Sequence, residues 1–334
     1  MMLFDPVTVS LLLGYLLDLM IGDPVYPFHP VRVMGRAASS LEIYLRRNFR
    51  TEFLAGFIFT AVIVFSSVSI SWSVVFLSAL ISPYVSLAFS TFFVYSSISV
   101  RDLIRHAVSV KNALVHGDVN LARQRVSLMV SRRTENLSEN EIIRAVIESV
   151  SENTLDGIIS PLFYASIFGA PGAIGYKAAS TLDSMVGFKD ARYMNFGRTS
   201  ARLDDALNFI PARLAVMIFA LAALLCGRNP LRTIRTIIRD RGKSASPNSG
   251  ISMAAVAGAL NIRLGGACEY DGKKVDKPEF GGDRKELGIG DIDRCAVFAC
   301  ISSLLAIVLA VLLRIGIFIL ILPHINTLLS EKIY

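Results

Sequence analysis

Charged residues are scarce in this chain. They make up only 18% of its 334 positions, whereas apolar residues make up 53% and the mean hydropathy is +0.54. Such a composition is too apolar for a soluble domain of this length. No aspartate, glutamate, lysine or arginine occurs from Phe53 to Val100, and one membrane-spanning helix needs only about 20 such residues. We therefore expect the lipid bilayer to surround much of the chain.

Cysteines and recognisable nucleotide motifs are also few. The four cysteines form no CxxC pair, and we expect reduced thiols at Cys226, Cys268, Cys295 and Cys300. No Walker A loop, GxGxxG fingerprint, GxSxG elbow or HExxH motif occurs. Any nucleotide site must therefore be assembled from residues far apart in the chain. The net charge of +7 is typical of the basic cytoplasmic side of a membrane protein and does not indicate nucleic-acid binding.

Long apolar stretches predict an all-α polytopic membrane protein, with residues 1–334 forming a single membrane-embedded domain. We expect spans at about residues 3–21, 53–74, 78–99 and 296–322. Pro83 supplies the turn of a helical hairpin, because proline lacks the donor that a continuing helix needs. Arg314 lies within the last span, so it either reaches the membrane interface or faces protein. The first stretch lacks the basic start and the cleavage site of a signal peptide, and we expect it to be retained.

Two shorter apolar stretches, residues 157–176 and 207–226, are harder to place. Basic residues lie between them, and positive charge normally marks the cytoplasmic side. Both stretches are therefore expected to be re-entrant or partly buried helices, with full spans as the alternative. Residues 100–156 and 227–295 then form helical cytoplasmic lobes. The prediction is a multi-pass protein of the cell membrane whose candidate site faces the cytoplasm.

Three carboxylates lie near the end of the first lobe. Helix-compatible sequence places Glu148, Glu152 and Asp156 at i, i+4 spacing on one helical face. A solvated acidic face is the ordinary explanation of such a pattern. Here Asn153 and Asp156 lead directly into an apolar stretch, and carboxylates at a membrane boundary favour a site for Mg²⁺ or an amine.

Two further stretches combine acids and bases beside apolar sequence. Lys177 suits a phosphate or carboxylate, and Asp183, six residues later, suits phosphate-bound Mg²⁺. The alternative is an interfacial lysine and a helix-capping aspartate. Arg202, Asp205 and Asn208 lie at i, i+3 spacing and can share a helical face. The alternative there is an intrahelical ion pair worth about 0.3–0.5 kcal/mol.

The remaining candidates lie in turns and loops. His29 and Arg32 follow Asp23 in a proline-stiffened segment, where the histidine is a proton carrier, a phosphate contact or a hydrogen-bonded structural residue. The turn SPNSG at residues 246–250 opens a helix whose N-terminus can face an anion, although a capped helix is the simpler explanation. We expect the charged segment at residues 265–294 to be a mobile loop that covers a site.

Four longer segments carry the most specific signal in the chain. They are GDPVYPFHPVRVMG, ESVSENTLDGIISPLFYASIFGAPGAIGYKAASTLDSMVGFK, YMNFGRTSARLDDALNFIPARL and SPNSGISMAAVAGALNIRLGG. In these segments and their order, the chain resembles the CobD/CbiB family, the adenosylcobinamide-phosphate synthases of cobalamin assembly. The apolar hairpin and the C-terminal span are the least family-like parts.

That resemblance implies a membrane ligase that depends on Mg²⁺ and uses ATP as a co-substrate. A carboxylate of adenosylcobyric acid is then coupled to (R)-1-aminopropan-2-ol or its O-phosphate, giving adenosylcobinamide or its phosphate. Phosphoryl transfer from ATP turns the carboxylate oxygen into a leaving group, a step that needs metal and cations more than a protein nucleophile. Other cobamide-assembly enzymes and the lipid bilayer are the implied partners.

The resemblance also implies residue roles. It suggests catalysis for Glu148, Glu152, Asp156 and Lys177, substrate binding for His29, Arg32, Asn153, Arg198, Arg202, Arg213, Ser246 and Asn248, and Mg²⁺ binding for Asp183, Asp204 and Asp205. A membrane corrinoid transporter is the main alternative, because charge inside a membrane often marks a pathway. The small number of clear spans and the lack of a repeated half argue against it. A non-catalytic scaffold for the assembly pathway is a third alternative.

Overall fold

The described chain divides into two compact units. The structure, a computed structural model, describes residues 5–24, 26–244, 246–270, 273–282, 284 and 286–320, without the side chains of residues 267–277. As predicted, it is almost entirely helical. Unit 1 comprises residues up to 99, residues 160–207 and residues from 306 onward, and unit 2 comprises residues 100–159 and 208–305.

Five helical stretches in the described ranges are long and apolar enough to cross a membrane. They are Glu52–Ile81, Pro83–Val115, Glu139–Val186, Arg198–Leu225 and Gly290–Leu320. Large apolar side chains such as Phe65 and Ile70 are exposed on the first of them, as expected for a surface in contact with lipid. The chain is therefore a multi-pass membrane protein. Residues 3 and 4 of the first expected span and residues 321 and 322 of the last lie outside the described residues.

Three helices of unit 1 begin at prolines. Its helices are α1 (Pro6–Ile21), α2 (Pro30–Asn48), α3 (Glu52–Ile81), α4 (Pro83–Ser97) and α8 (Ser160–Val186), together with the start of α9 (Arg198–Leu225). Proline is suited to the first helical turn, because the donor it lacks has no partner there. Ser82 follows the last residue of α3, and its hydroxyl caps α4 by accepting from the Tyr84 N–H at 3.2 Å. The charge-free stretch thus forms a helical hairpin.

Close packing joins α3 to the segment before α9. The rings of Phe59 and Phe196 lie with their centroids 5.0 Å apart in a buried cluster. Gly56 allows the backbone carbonyl of Phe196 to approach α3, because any side chain at this position would collide with it. Small and aromatic residues therefore fix the segment that leads into α9.

Helix α8 is interrupted in its middle. Gly169 has a φ of 67°, a left-handed conformation that glycine adopts without a steric penalty, and Pro171 follows inside the helix. The stretch at residues 157–176 is therefore not one straight helix.

The last helix, α12 (Gly290–Leu320), returns to α1 through an ion pair. Arg314 donates to the Asp5 carboxylate from Nε at 2.8 Å and from Nη2 at 3.1 Å. Asp5 also caps α1 by accepting from the Thr8 N–H at 3.1 Å. Of the two alternatives for Arg314, the structure shows the one in which it faces protein.

Unit 2 packs mostly polar-capped helices around small residues. They are α5 (Val100–Val115), α6 (Val119–Val126), α7 (Glu139–Thr154), α10 (Pro230–Asp240) and α11 (Ser249–Leu260), with parts of α9 and α12. Ser138 and Glu141 form a capping box at the start of α7. Gly258 allows α11 to lie against Thr233 and Thr236 of α10. Arg232 locks this contact by donating to the Gly258 carbonyl at 2.9 Å.

The charged segment after α11 is not the loop that the sequence predicted. It contains two antiparallel strands, β1 (Arg263–Tyr270) and β2 (Lys273–Gly281), with an irregularity between Leu264 and Gly266. The prediction of a loop was wrong because the strands lack the apolar alternation that reveals most hairpins. The dipeptide Asp271-Gly272, which lies outside the described residues, was the available turn signal.

Candidate functional site

The predicted site residues divide between the two units. Unit 1 contains His29, Arg32, Lys177, Asp183, Arg198, Arg202, Asp204 and Asp205, and unit 2 contains Glu148, Glu152, Asn153, Asp156, Arg213, Ser246 and Asn248. Each set is described below within its own unit.

A short irregular segment of unit 1 presents His29. Helix α1 is followed by Gly22, whose φ of 75° ends the helix and redirects the backbone. Helix α2 starts at Pro30, directly after His29. The His29 side chain is buried, with 2% of the residue exposed. Its Nε2 lies 3.1 Å from Asp23 Oδ1, and the Tyr26 ring meets the imidazole edge-on with centroids 5.3 Å apart. Sequence spacing alone did not identify Asp23 as the partner.

Two cations act on this buried imidazole. Burial lowers the pKa of His29 below its usual value, the Asp23 carboxylate opposes that shift, and Arg32 and Lys177 reinforce it. Arg32 belongs to the first turn of α2, whereas Lys177 comes from α8. The fold therefore brings Lys177 of one motif close to His29 and Arg32 of another. Two cations beside a neutral imidazole form an environment suited to an anionic group.

Two predicted metal ligands also lie close to each other in unit 1. The Asp205 carboxylate of α9 interacts electrostatically with the Asp183 carboxyl of α8. Gly187 leaves room for the Asp183 side chain, since a Cβ at Gly187 would collide with Asp183 Oδ1. Asp183 follows Lys177 by six residues, which is about 9 Å along a helix axis. The Asp183 end of this pair of like charges thus lies about two helical turns beyond Lys177.

Asp204 has a different neighbour. It is 9% exposed, and it interacts electrostatically with Tyr164, whose hydroxyl donates to the Leu207 carbonyl at 2.9 Å. Arg198 and Arg202 are exposed, and the Arg198 guanidinium lies 6.0 Å from the centroid of the Phe53 ring. These three residues lie in the first two turns of α9.

The three carboxylates near the end of α7 do not share one environment. Glu148 is buried, and it accepts from Arg132 Nη2 at 3.3 Å and from the Gly265 N–H at 2.9 Å. Glu152 is exposed. Asp156 lies in a π-helical turn, Leu155–Ile159, and such turns often occur at functional sites. The predicted i, i+4 spacing in one α-helix therefore holds for Glu148 and Glu152, whereas Asp156 follows the end of α7.

Glu148 therefore anchors the strand pair. Its carboxylate receives the N–H of Gly265, while Arg144 donates to the carbonyl of the same residue at 2.9 Å. Gly265 has a φ of 79° and lies against the Pro278 carbonyl, where a side chain would collide. This set of contacts gives Glu148 a structural task that the sequence prediction of catalysis did not include.

A second group of predicted residues converges at the start of α11. Arg213 Nη1 donates to Asn248 Oδ1 at 2.7 Å, and the Asn248 N–H donates to Ser246 Oγ at 3.3 Å. Asn248 is 2% exposed and precedes α11 without capping it through its side chain. Arg213 also lies over the Phe209 ring, 3.6 Å from its centroid. Asn153 is exposed and donates from Nδ2 to the Ser149 carbonyl at 2.9 Å.

The thiols match the sequence prediction where they are described. Cys226, Cys295 and Cys300 are free, and the side chain of Cys268 lies outside the described structure.

Comparison with known proteins gives one consistent result. The family described as CobD/Cbib protein matches residues 11–299. A protein of Clostridium perfringens strain 13 named "Cobalamin biosynthesis protein CobD" is 41% identical over 307 residues, covering 92% of this chain and 98% of that protein. A protein of Salmonella choleraesuis named "Cobalamin biosynthesis protein CbiB" is 38% identical over 307 residues, covering 91% and 96%. No solved structure shows a significant match.

Proposed function

This chain is a member of the CobD/CbiB family, and from that premise we propose that it acts in cobalamin biosynthesis as an ATP-dependent amide ligase of the membrane. It joins a carboxylate of adenosylcobyric acid to the amine of (R)-1-aminopropan-2-ol or of its O-phosphate. The product is adenosylcobinamide or its phosphate. Its relatives are named for the same pathway, and its five candidate spans fit a membrane location.

The observation that best supports this reaction is the grouping of charges in unit 1. Arg32 and Lys177 lie beside His29, and Asp183 and Asp205 lie further along α8 and α9. A carboxylate is a poor electrophile until phosphoryl transfer turns one of its oxygens into a leaving group. Cations that neutralise phosphate charge are the main requirement of that transfer. Arg32 and Lys177 would neutralise the phosphate oxygens and orient them.

Asp183 and Asp205 are the residues that would hold Mg²⁺. No three His, Cys, Asp or Glu side chains in the described part of the chain are placed to hold a metal by themselves. Magnesium bound to a nucleotide normally takes only one or two protein carboxylates, with phosphate oxygens and water as its other ligands. Two adjacent like charges also favour a cation between them. The ion would supply charge neutralisation during phosphoryl transfer, and Asp204 is the third candidate ligand.

We place this site on the cytoplasmic side. ATP is available there, and the segment that carries His29 and Arg32 continues into α2, which also contains Arg36, Arg46 and Arg47. Arginine-rich segments next to spanning helices are retained in the cytoplasm.

The test is direct synthesis by the purified protein. The full chain in lipid nanodiscs is incubated with adenosylcobyric acid, Mg-ATP and either the free amino alcohol or its O-phosphate, and the amide is detected by mass spectrometry. We expect one amide per ATP consumed, with no product when ATP is omitted or Mg²⁺ is chelated. Absence of amide with both amino alcohols would reject the ligase function. The preferred amino alcohol identifies the substrate.

A corrinoid transporter is the second candidate, because α8 is broken at Gly169 within a stretch apolar enough to cross a membrane. Interrupted spanning helices form the binding sites of many transporters. Liposomes containing only this protein distinguish the two: ATP-independent uptake of labelled corrinoid without amide formation supports transport. Corrinoid binding that is indifferent to ATP, without uptake, would instead support a scaffold for other assembly enzymes.

A further inference from the structure

The His29 side chain carries a buried nitrogen that the fold does not satisfy. Its Nε2 faces Asp23 Oδ1 at 3.1 Å, whereas Nδ1 has no hydrogen-bond partner among the residues that the structure describes. Burying a polar atom without a partner is costly, and native structures rarely retain one without a reason. With only 2% of His29 exposed, bulk solvent does not provide the partner. A ligand that approaches Nδ1 would.

The neighbours of His29 fix its protonation. A carboxylate only accepts, so the imidazole proton belongs on Nε2, next to Asp23, and Nδ1 carries the lone pair. The contact with Asp23 is not aligned as a hydrogen bond, and catalytic contacts are often poorly aligned before the substrate binds. The groups that face the imidazole are Asp23, Tyr26, Arg32 and Lys177. Burial and the two cations keep the pKa of His29 low, so that the ring is neutral at pH 7.

The charge pattern distinguishes His29 from the acidic candidates for the same task. The carboxylate of Glu148, one of the residues predicted to act in catalysis, already accepts from Arg132 and the Gly265 N–H. His29 instead presents a neutral base next to two cations that attract an anionic substrate. An amino alcohol phosphate or an activated carboxyl drawn to Arg32 and Lys177 would be brought beside Nδ1.

We propose that His29 Nδ1 is the general base that takes the proton from the attacking amine, with Asp23 as the residue that positions the ring. This inference rests on the proposed ligase function. The amine lone pair forms the new C–N bond to the carboxyl carbon that ATP has activated. The C–O bond to phosphate breaks, phosphate leaves with the electron pair, and the amine proton moves to Nδ1. Arg32 and Lys177 stabilise the departing phosphate and favour release of the proton afterwards.

The test is the pH dependence of amide formation, measured from pH 5 to pH 9 in nanodiscs. Wild-type activity should fall on the acid side, with an apparent pKa below the usual histidine value. His29→Gln should lower the rate by about 100- to 10,000-fold and remove that acid limb. Asp23→Asn should keep part of the activity and move the limb to lower pH, because Asp23 raises the pKa of His29.

A second His–Asp pair supplies the matched control. His106 Nε2 lies 3.4 Å from Asp102 Oδ2 on α5, and 33% of the His106 side chain is exposed. His106→Gln should leave both rate and pH profile unchanged. A wild-type rate and acid limb in His29→Gln would overturn the proposal while leaving the ligase function intact. Absence of amide from the wild-type protein would reject the function itself.

A chemical bypass separates proton transfer from binding. Hydroxylamine is unprotonated at neutral pH and traps activated carboxyl groups without a base. His29→Gln should therefore still form the corrinoid hydroxamate with ATP, at a rate within a few fold of wild type, whereas loss of hydroxamate would overturn the role as a base. If His29→Gln does not fold, Asp23→Asn decides, because an unmoved acid limb in that variant would also overturn the proposal.

Discussion

Two carboxylates of unit 2 and a pair in unit 1 have opposite kinds of partner. In unit 2, Glu148 and Asp240 each receive a guanidinium donor and a backbone N–H. In unit 1, the Asp183 carboxyl instead has the like charge of Asp205 as an electrostatic neighbour. Removing a donor or acceptor from a buried charge with complete partners destabilises the fold. Two like charges held together instead favour binding of a cation between them. From this comparison we infer an anchoring role for Glu148 and Asp240 and a cation-binding role for the Asp183–Asp205 pair.

The largest expected effect is on stability and comes from removing the Glu148 carboxylate. Glu148→Ala leaves the buried Arg132 guanidinium and the Gly265 N–H without their acceptor, and we expect a loss of about 3–5 kcal/mol in the free energy of unfolding. Thermal unfolding in detergent measures it. Glu152→Ala, at an exposed glutamate of the same helix, is the control and should change stability by about 0.5 kcal/mol or less. Unchanged stability in Glu148→Ala, with loss of activity, would return Glu148 to the catalytic group.

The second effect is on activity and concerns Asp205. Asp205→Asn should lower the rate of amide formation by about 100-fold and raise the Mg²⁺ concentration needed for half-maximal rate. The melting temperature should stay the same or rise, since the repulsion between Asp205 and Asp183 is removed. Asp190→Asn, at an exposed aspartate outside both clusters, should have no effect. Full activity of Asp205→Asn at low Mg²⁺ would reject the metal assignment.

The smallest expected effect concerns Asp240, which is fully buried. Burial disfavours its ionisation, but hydrogen bonds from Arg239, the Gly281 N–H and Lys243 outweigh burial and hold its pKa well below the usual value. Its stabilising contribution is therefore complete above about pH 4 and is lost as the pH falls from there toward the lowered pKa.

Asp240→Asn should cost about 1.5 kcal/mol at pH 7, the lower end of the range for charged hydrogen bonds, because the two cationic partners are about half exposed. Melting temperatures of both proteins from pH 3 to pH 7 should converge below pH 4. A difference that stays constant over this range would contradict the assigned cause.

The sequence predicts the parts of this fold that have one physical solution. A charge-free run from Phe53 to Val100 can hardly form anything but membrane helices, and Pro83 fixes where they turn. The candidate residues of α8 could also be identified from the sequence, because Lys177 and Asp183 are charged residues beside apolar stretches. What single-sequence reasoning does not provide is the pairing between distant segments.

Two contacts show why that pairing was missed. Arg132 and Glu148 lie 16 residues apart, a separation that no helical or strand period relates, and only the turn between α6 and α7 brings them together. The contact of Lys177 with the His29 cluster depends on how α8 packs against α2. Charge and hydropathy along the chain identify which residues need partners, and packing decides which partners they receive.

The ion pair between Asp5 and Arg314 has a consequence for how the protein is made. The two residues are separated by 309 positions, so the ribosome must synthesise the helices between them before Asp5 can pair with Arg314. Until then the Asp5 carboxylate lies beside an apolar helix without the Arg314 guanidinium, and an unpaired charge is unfavourable at a membrane boundary. The ion pair between α1 and α12 is thus a late contact in the folding of unit 1. A truncation that removes Arg314 would leave the Asp5 carboxylate without this partner.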